Sequence, residues 1–238
     1  MVKKIVFGAL TLLLALCLVG CGGKKEDTAK KDEAAPKTEE TAAVEGSPDK
    51  AVLAYAQLYA YGVIEDENQA AAGMTEKDIE AVQDQVLAPI VDSFKGYPLS
   101  DESVAEMTGR YVAKLHAGMD MKTTIKKDDA EHPVVELTAT TINQEGAAKV
   151  AENNQDLVAL GTAYGELQAQ GLTEEQLKES AEFQQFALES IDKFIDEFPL
   201  NAEQTLEVTC KAVQGSDGKM YWAPEDPAAV AKFVTGQK

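Results

Sequence analysis

Apolar side chains along the 238-residue chain fall into three regimes. Ile5 to Val19 is an almost unbroken apolar run, residues 22–47 hold a single sizeable aliphatic residue, Val44, and from Ser47 onward apolar positions recur with a helical or a strand period. The third regime predicts the folded body. Ser47 as N-cap, Pro48 at the first helical position and Val52, Tyr55, Ala56, Tyr59 and Val63 along one side predict a helix that Gly62 stops. Thr75 caps a second, with Ile79, Val82, Val86 and Ile90 in helical register and Pro89 as a kink. Ser100 to about His116 predicts a third, its inward stripe being Val104, Met107, Tyr111 and Leu115, with Gly118 closing it.

The period then shortens to two. Met119, Met121, Thr123 and Ile125 face one way against Asp120, Lys122, Thr124 and Lys126, and after a polar turn Val135, Leu137 and Ala139 alternate with Glu136, Thr138 and Thr140. This is the signature of an antiparallel hairpin. A helix is expected over Gly146 to about Gln168, with Ala147, Val150, Ala151, Leu157, Val158, Gly161 and Tyr164 inward. A longer one is expected from a Thr173/Gln176 capping box to Phe198, rich enough in phenylalanine (Phe183, Phe186, Phe194) to be the central core helix. Leu206, Val208, Cys210 and Ala212 alternate into a second hairpin, which turns at Gly215-Ser216-Asp217-Gly218 and returns over Lys219 to Trp222. Asp226-Pro227 opens a closing helix. The pattern predicts one α+β domain over residues 48–238, a four-stranded antiparallel sheet of two hairpins packed against five or six helices.

The first regime is an address. Lys3 and Lys4 precede the run Ile5 to Val19, which at 15 residues is shorter than the roughly 20 needed to span a bilayer. Residues 1–20 therefore read as a cleaved signal peptide. The run ends in Leu18-Val19-Gly20-Cys21, which resembles the bacterial lipobox. That resemblance implies a diacylglyceryl group on the Cys21 thiol, cleavage after Gly20 and a lipid-anchored mature protein. Each buried methylene contributes about 0.8 kcal/mol, and two acyl chains hold a protein durably where one does not. Residues 21–47, charged in both signs and nearly free of aliphatic side chains, read as a disordered linker of roughly 28 Å root-mean-square span.

With 41 acidic against 22 basic side chains the formal charge is -19, and losing Lys3 and Lys4 with the signal peptide makes it -21. Such a body is unsuited to neutralising nucleic-acid phosphates. Solubility explains the charge, as does long-range attraction of cationic partners. Three cysteines make no disulfide framework. Cys17 leaves with the signal peptide, and Cys210 falls on the inward face of a strand as a small hydrophobe.

Candidate chemistry is sparse. No nucleotide-binding glycine loop, zinc-protease helix, nucleophile elbow or calcium loop occurs in the sequence. Ser47/Lys50 and Ser190/Lys193 match the SxxK spacing of penicillin-interacting enzymes without a KTG partner, and Ser47 is better used as a helix cap. His132 with Asp128, Asp129 and Glu131 could hold a divalent cation, although hairpin tips carry such residues for solubility. His116 reads as a helix-end residue. Tyr55, Tyr59 and Tyr61, with Trp222, offer either an aromatic platform or core packing.

The lipobox, the acidic linker, the helix opened by GMTEKDIE, the LTEEQLKES helix and the terminal strands around SDGKMYW resemble a family of Firmicutes cell-envelope lipoproteins whose domain has no assigned function. At fold level they are loosely similar to cystatin-like and nuclear-transport-factor-like lipoproteins. The resemblance implies a protein anchored in the cell membrane and facing the extracytoplasmic side, with no cofactor, no metal and no catalytic residues. The expected role is a non-catalytic binding or interaction module for an unknown envelope protein or ligand. A solute-binding component of a transporter and a wall-polymer hydrolase acting through paired carboxylates are the competing readings.

Overall fold

A computed structural model describes residues 43–237. The expected signal peptide, Leu18, Val19, Gly20, Cys21 and most of the expected linker lie outside the described residues. The elements in chain order are β1 (Val44–Glu45), α1 (Pro48–Tyr61), α2 (Asp66–Ala72), α3 (Glu76–Phe94), α4 (Asp101–Gly118), β2 (Met121–Lys127) and β3 (Val134–Ala139). Then come α5 (Gln144–Asn153), α6 (Gln155–Ala169), α7 (Glu174–Glu179), α8 (Ala181–Asp196), β4 (Gln204–Gln214), β5 (Met220–Pro224) and α9 (Pro227–Val234). The architecture is a single α+β domain, and the two predicted hairpins are present and joined through β3 and β4.

The sheet departs from expectation in one respect. It has five strands in the order β1-β5-β4-β3-β2, because Val44 and Glu45, at the end of the segment read as linker, pair in parallel with Met220 and Tyr221. Two residues carry no visible alternation, so no sequence period announces them. At the opposite edge β2 presents Lys122, Lys126 and Lys127 to solvent, a charge pattern that discourages pairing with other chains. Ile125, on the face expected to turn inward, is 39% exposed.

The core is centred on α1 and not on the 173–198 segment. Ala51, Val52, Ala54, Ala56, Leu58, Ala60 and Tyr61 are all buried, so this helix is covered on nearly every side. It touches strands β2 to β5 on one side and α2, α3, α4 and α9 on the others. Its four alanines allow that close approach. Behind α1, α4 presents Val104, Met107, Tyr111 and Leu115, all buried as predicted, and α8 packs against α4 on one side and α6 and α7 on the other.

Among the described residues there are nine helices, more than the five or six expected, for two reasons. The short α2 has no periodic stripe long enough to read. The two long helices expected after residue 145 are each broken in two. Asn154, at φ -68 and ψ 116, ends α5 and caps α6, its Oδ1 accepting from the Leu157 N–H at 2.9 Å and its Nδ2 donating to Glu197 at 2.9 Å. Ser180 does the same between α7 and α8, accepting from the Phe183 N–H. The breaks rotate the stripes, so Val158 is 48% exposed and Ala181 faces solvent. A side-chain oxygen that can cap also competes with the helix it interrupts.

Buried Gln184 holds the helical side together. Its Oε1 accepts from the Ser100 N–H and the Ser103 hydroxyl, and its Nε2 donates to the carbonyls of Pro98 and Leu177, all at 2.9 Å.

Candidate functional site

A surface groove of about 840 Å³ lies at the pole where the chain enters the fold. Four pieces of chain build it: β1 with Gly46 and Ser47, the start of α1, helix α2 with its exit through Gly73, Met74 and Thr75, and the β4–β5 turn with Tyr221. Local chemistry fixes each piece. Gly46 and Gly73 adopt φ of +72° and +62°, a region side-chain-bearing residues avoid. Thr75 and Asp78 form a reciprocal cap on α3, with the Thr75 hydroxyl donating to the Asp78 carboxylate at 2.6 Å, which holds that carboxyl below its ordinary range.

The floor of the groove carries Tyr221. Its ring occupies the space beside Gly73 and Gly215 that any side chain there would need, and its hydroxyl donates to Asp217 at 2.8 Å. Asp217 also accepts from the Lys219 N–H at 3.0 Å, and these bonds hold its carboxyl below the usual range. The charged lining is four acids, Glu45, Asp66, Glu67 and Asp217, against Lys50 and Lys219. Lys50 donates to Glu67 at 2.8 Å, and Lys219 lies 3.7 Å from Glu45. The groove thus offers an aromatic face, small apolar residues and surplus negative charge, which suits a ligand with cationic and apolar parts.

The chemistry raised by the sequence is dispersed. Ser47 caps α1 by backbone geometry with no side-chain cap bond. Its SxxK partner Lys50 is paired with Glu67 at 2.8 Å, which raises its pKa and works against use as a general base. Ser190 donates to the Phe186 carbonyl at 2.8 Å, while Lys193 is paired with Asp156 at 2.6 Å and likewise raised. Neither pair is a catalytic dyad.

At the β2–β3 turn Asp129 pairs with Lys127 and accepts from the N–H groups of Glu131 and His132, so its carboxyl lies far below the usual range. His132 Nδ1 meets Glu225 at 2.7 Å. These residues tie the turn to the start of α9, and among the described residues no cluster of three or more His, Cys, Asp or Glu side chains is arranged to hold a metal ion. His116 stands edge-on to Tyr61 with ring centroids 5.2 Å apart. Tyr55 and Tyr59 are half-buried against the core, Tyr61 and Trp222 are buried, and burial pushes the Tyr61 hydroxyl up to about 12. The aromatic that reaches the groove is Tyr221, which is not among the tyrosines that the helical pattern singles out. Its signal was its place in β5, on the opposite face from its buried neighbour Trp222.

Cys210 is fully buried with a free thiol, as its strand position implied, and burial pushes that thiol up to about 12. No helix among the described residues is long and apolar enough to cross a membrane.

No family model matches this sequence, and no curated protein does. Among solved structures, it is similar to ycdA of Bacillus subtilis, described as a candidate lipoprotein, at 14% identity and a TM-score of 0.45. The match covers 79% of this chain and 56% of the other, so the chain spans just over half the length of that relative. At that level of likeness nothing is transferred from one to the other.

Proposed function

We propose that this protein is an exported lipoprotein, tethered outside the cytoplasmic membrane through Cys21, whose folded domain binds a partner or ligand of the cell envelope without catalysing a reaction. The lipobox Leu18-Val19-Gly20-Cys21 supports the tether. The groove at the entry pole carries the binding reading: an aromatic ring, uneven charge and concave shape meet there. Even fully extended, the 22 residues from Gly22 to Ala43 reach no more than about 80 Å, so the groove works within that distance of the bilayer.

Two measurements test the reading separately. An alkyne fatty acid fed to expressing cells should label the wild type and not Cys21→Ala, and equal labelling of the two removes the anchor. A photo-crosslinking residue at Gln69, which lines the groove, should give a discrete adduct in intact envelopes that the same residue at Glu152, on exposed α5, does not. Identical patterns, or none, remove the groove as the binding surface.

A further inference from the structure

We infer that residues 44–46 are a strap that docks and releases as a unit, and that release removes one wall of the groove and bares the outer edge of β5 while the rest of the domain stays folded. The two strands at this edge are held very unequally. β5 pairs with β4 through five residues, Met220 to Pro224, and buries Trp222 and Ala223. β1 pairs with β5 through two, and its own attachments are the half-buried Val44 and the long contact of Glu45 with Lys219. Local opening free energies follow the number of buried contacts and ladder bonds, so β1 should open well before β5.

The hinge is equally defined. Gly46 bends at φ +72° with its Cα pressed on the end of α2, where an added Cβ would lie 2.6 Å from the Ala71 carbonyl oxygen. Docking therefore depends on a glycine at this position. After it, Pro48 is buried and α1 is fixed, so motion stops there. β5 keeps its place without the strap because Tyr221 remains clamped by Gly73 and Gly215.

Glu45, Gly46 and Ser47 line the groove and are also the first residues the tether would pull. On the groove reading above, a ligand touching the strap favours the docked state, tension favours release, and each changes the other by the same factor. The strap's own motion does not depend on that reading.

Hydrogen exchange of the full-length protein, followed by mass spectrometry, tests the strap without any ligand. The peptide over 43–47 should exchange at least tenfold faster than the β3 peptide over 134–139. Gly46→Ala should accelerate the strap a further tenfold or more and leave β3 protection and Tm unchanged. If Gly46→Ala does not accumulate in folded form, Val44→Gly gives the same readout. Strap and β3 exchanging at one common rate, or either variant lowering β3 protection and Tm in step with the strap, overturns the inference.

Discussion

The ring of Tyr221 stands where a side chain on Gly73 would have to go. Gly73 also sits at φ +62°, so an alanine there meets backbone strain and a displaced aromatic together. Gly171, at φ +92° with nothing within 4 Å of its would-be Cβ, isolates the strain alone. Gly171→Ala should cost about 1 to 2 kcal/mol. Gly73→Ala should cost about 1 to 3 kcal/mol more, from ring displacement. Urea unfolding of the two variants checks this, and equal losses would show that the ring moves freely.

Gln184 uses every strong hydrogen-bonding site it has on groups from two segments, 98–103 and the turn of helix at Leu177. Gln184→Leu leaves the Ser103 hydroxyl and two carbonyls buried near an apolar side chain, and should lower stability by about 3 kcal/mol or more. Adding Ser103→Ala should return part of that loss. Strict additivity in the double-mutant cycle would contradict a shared network.

Tyr97 gives the opposite expectation. Its hydroxyl is buried without a protein partner among the described residues, and burial raises its pKa. Tyr97→Phe should be neutral or stabilising by up to about 1 kcal/mol, read from the denaturant midpoint. A loss of more than that would mean the hydroxyl is bonded in solution.

Cys210 and Tyr61 set the alkaline limit. Both are raised to about 12 in the folded chain, from ordinary values of 9.0 and 10.0, because burial disfavours their charged forms. The folded state holds these protons more tightly, so their contribution is complete below about pH 9 and lost as pH rises toward 12. Folded protein at pH 8 should leave Cys210 unalkylated by iodoacetamide, as judged by peptide mapping, and urea should expose it. Rapid native alkylation of Cys210 would contradict its burial.

Asn154 joins two helices that the apolar pattern runs together. Asn154→Ala removes the α6 cap and the bond to Glu197, and should cost about 1 to 2 kcal/mol in thermal or urea unfolding. A stabilised variant would mean that the break is imposed by packing alone.

Periods and caps were legible wherever they were local. Thr75 and Thr173 cap helices as expected, helices start at Ser100 and Asp226 where the pattern opens them, the α4 stripe is buried residue for residue, and β3 and β4 turn their expected faces inward. Val158 and Ala181 were misplaced because a helical period cannot register a cap in mid-run. The groove was not legible, since Glu45 and Lys50, Gly73, and Tyr221 come from three separated parts of the chain. Its aromatic floor depends on two glycines that look like ordinary turn residues.

By itself the sequence determined the α+β class, both hairpins, most helix starts and the inward thiol, because caps, turns and alternation act over a few residues. Tertiary structure decided that α1 and not the phenylalanine-rich segment is central, that a two-residue strand completes the sheet, and where the groove lies. Those outcomes depend on which surfaces meet after the elements form, and burial against a distant partner leaves no periodic mark on the chain that supplies it.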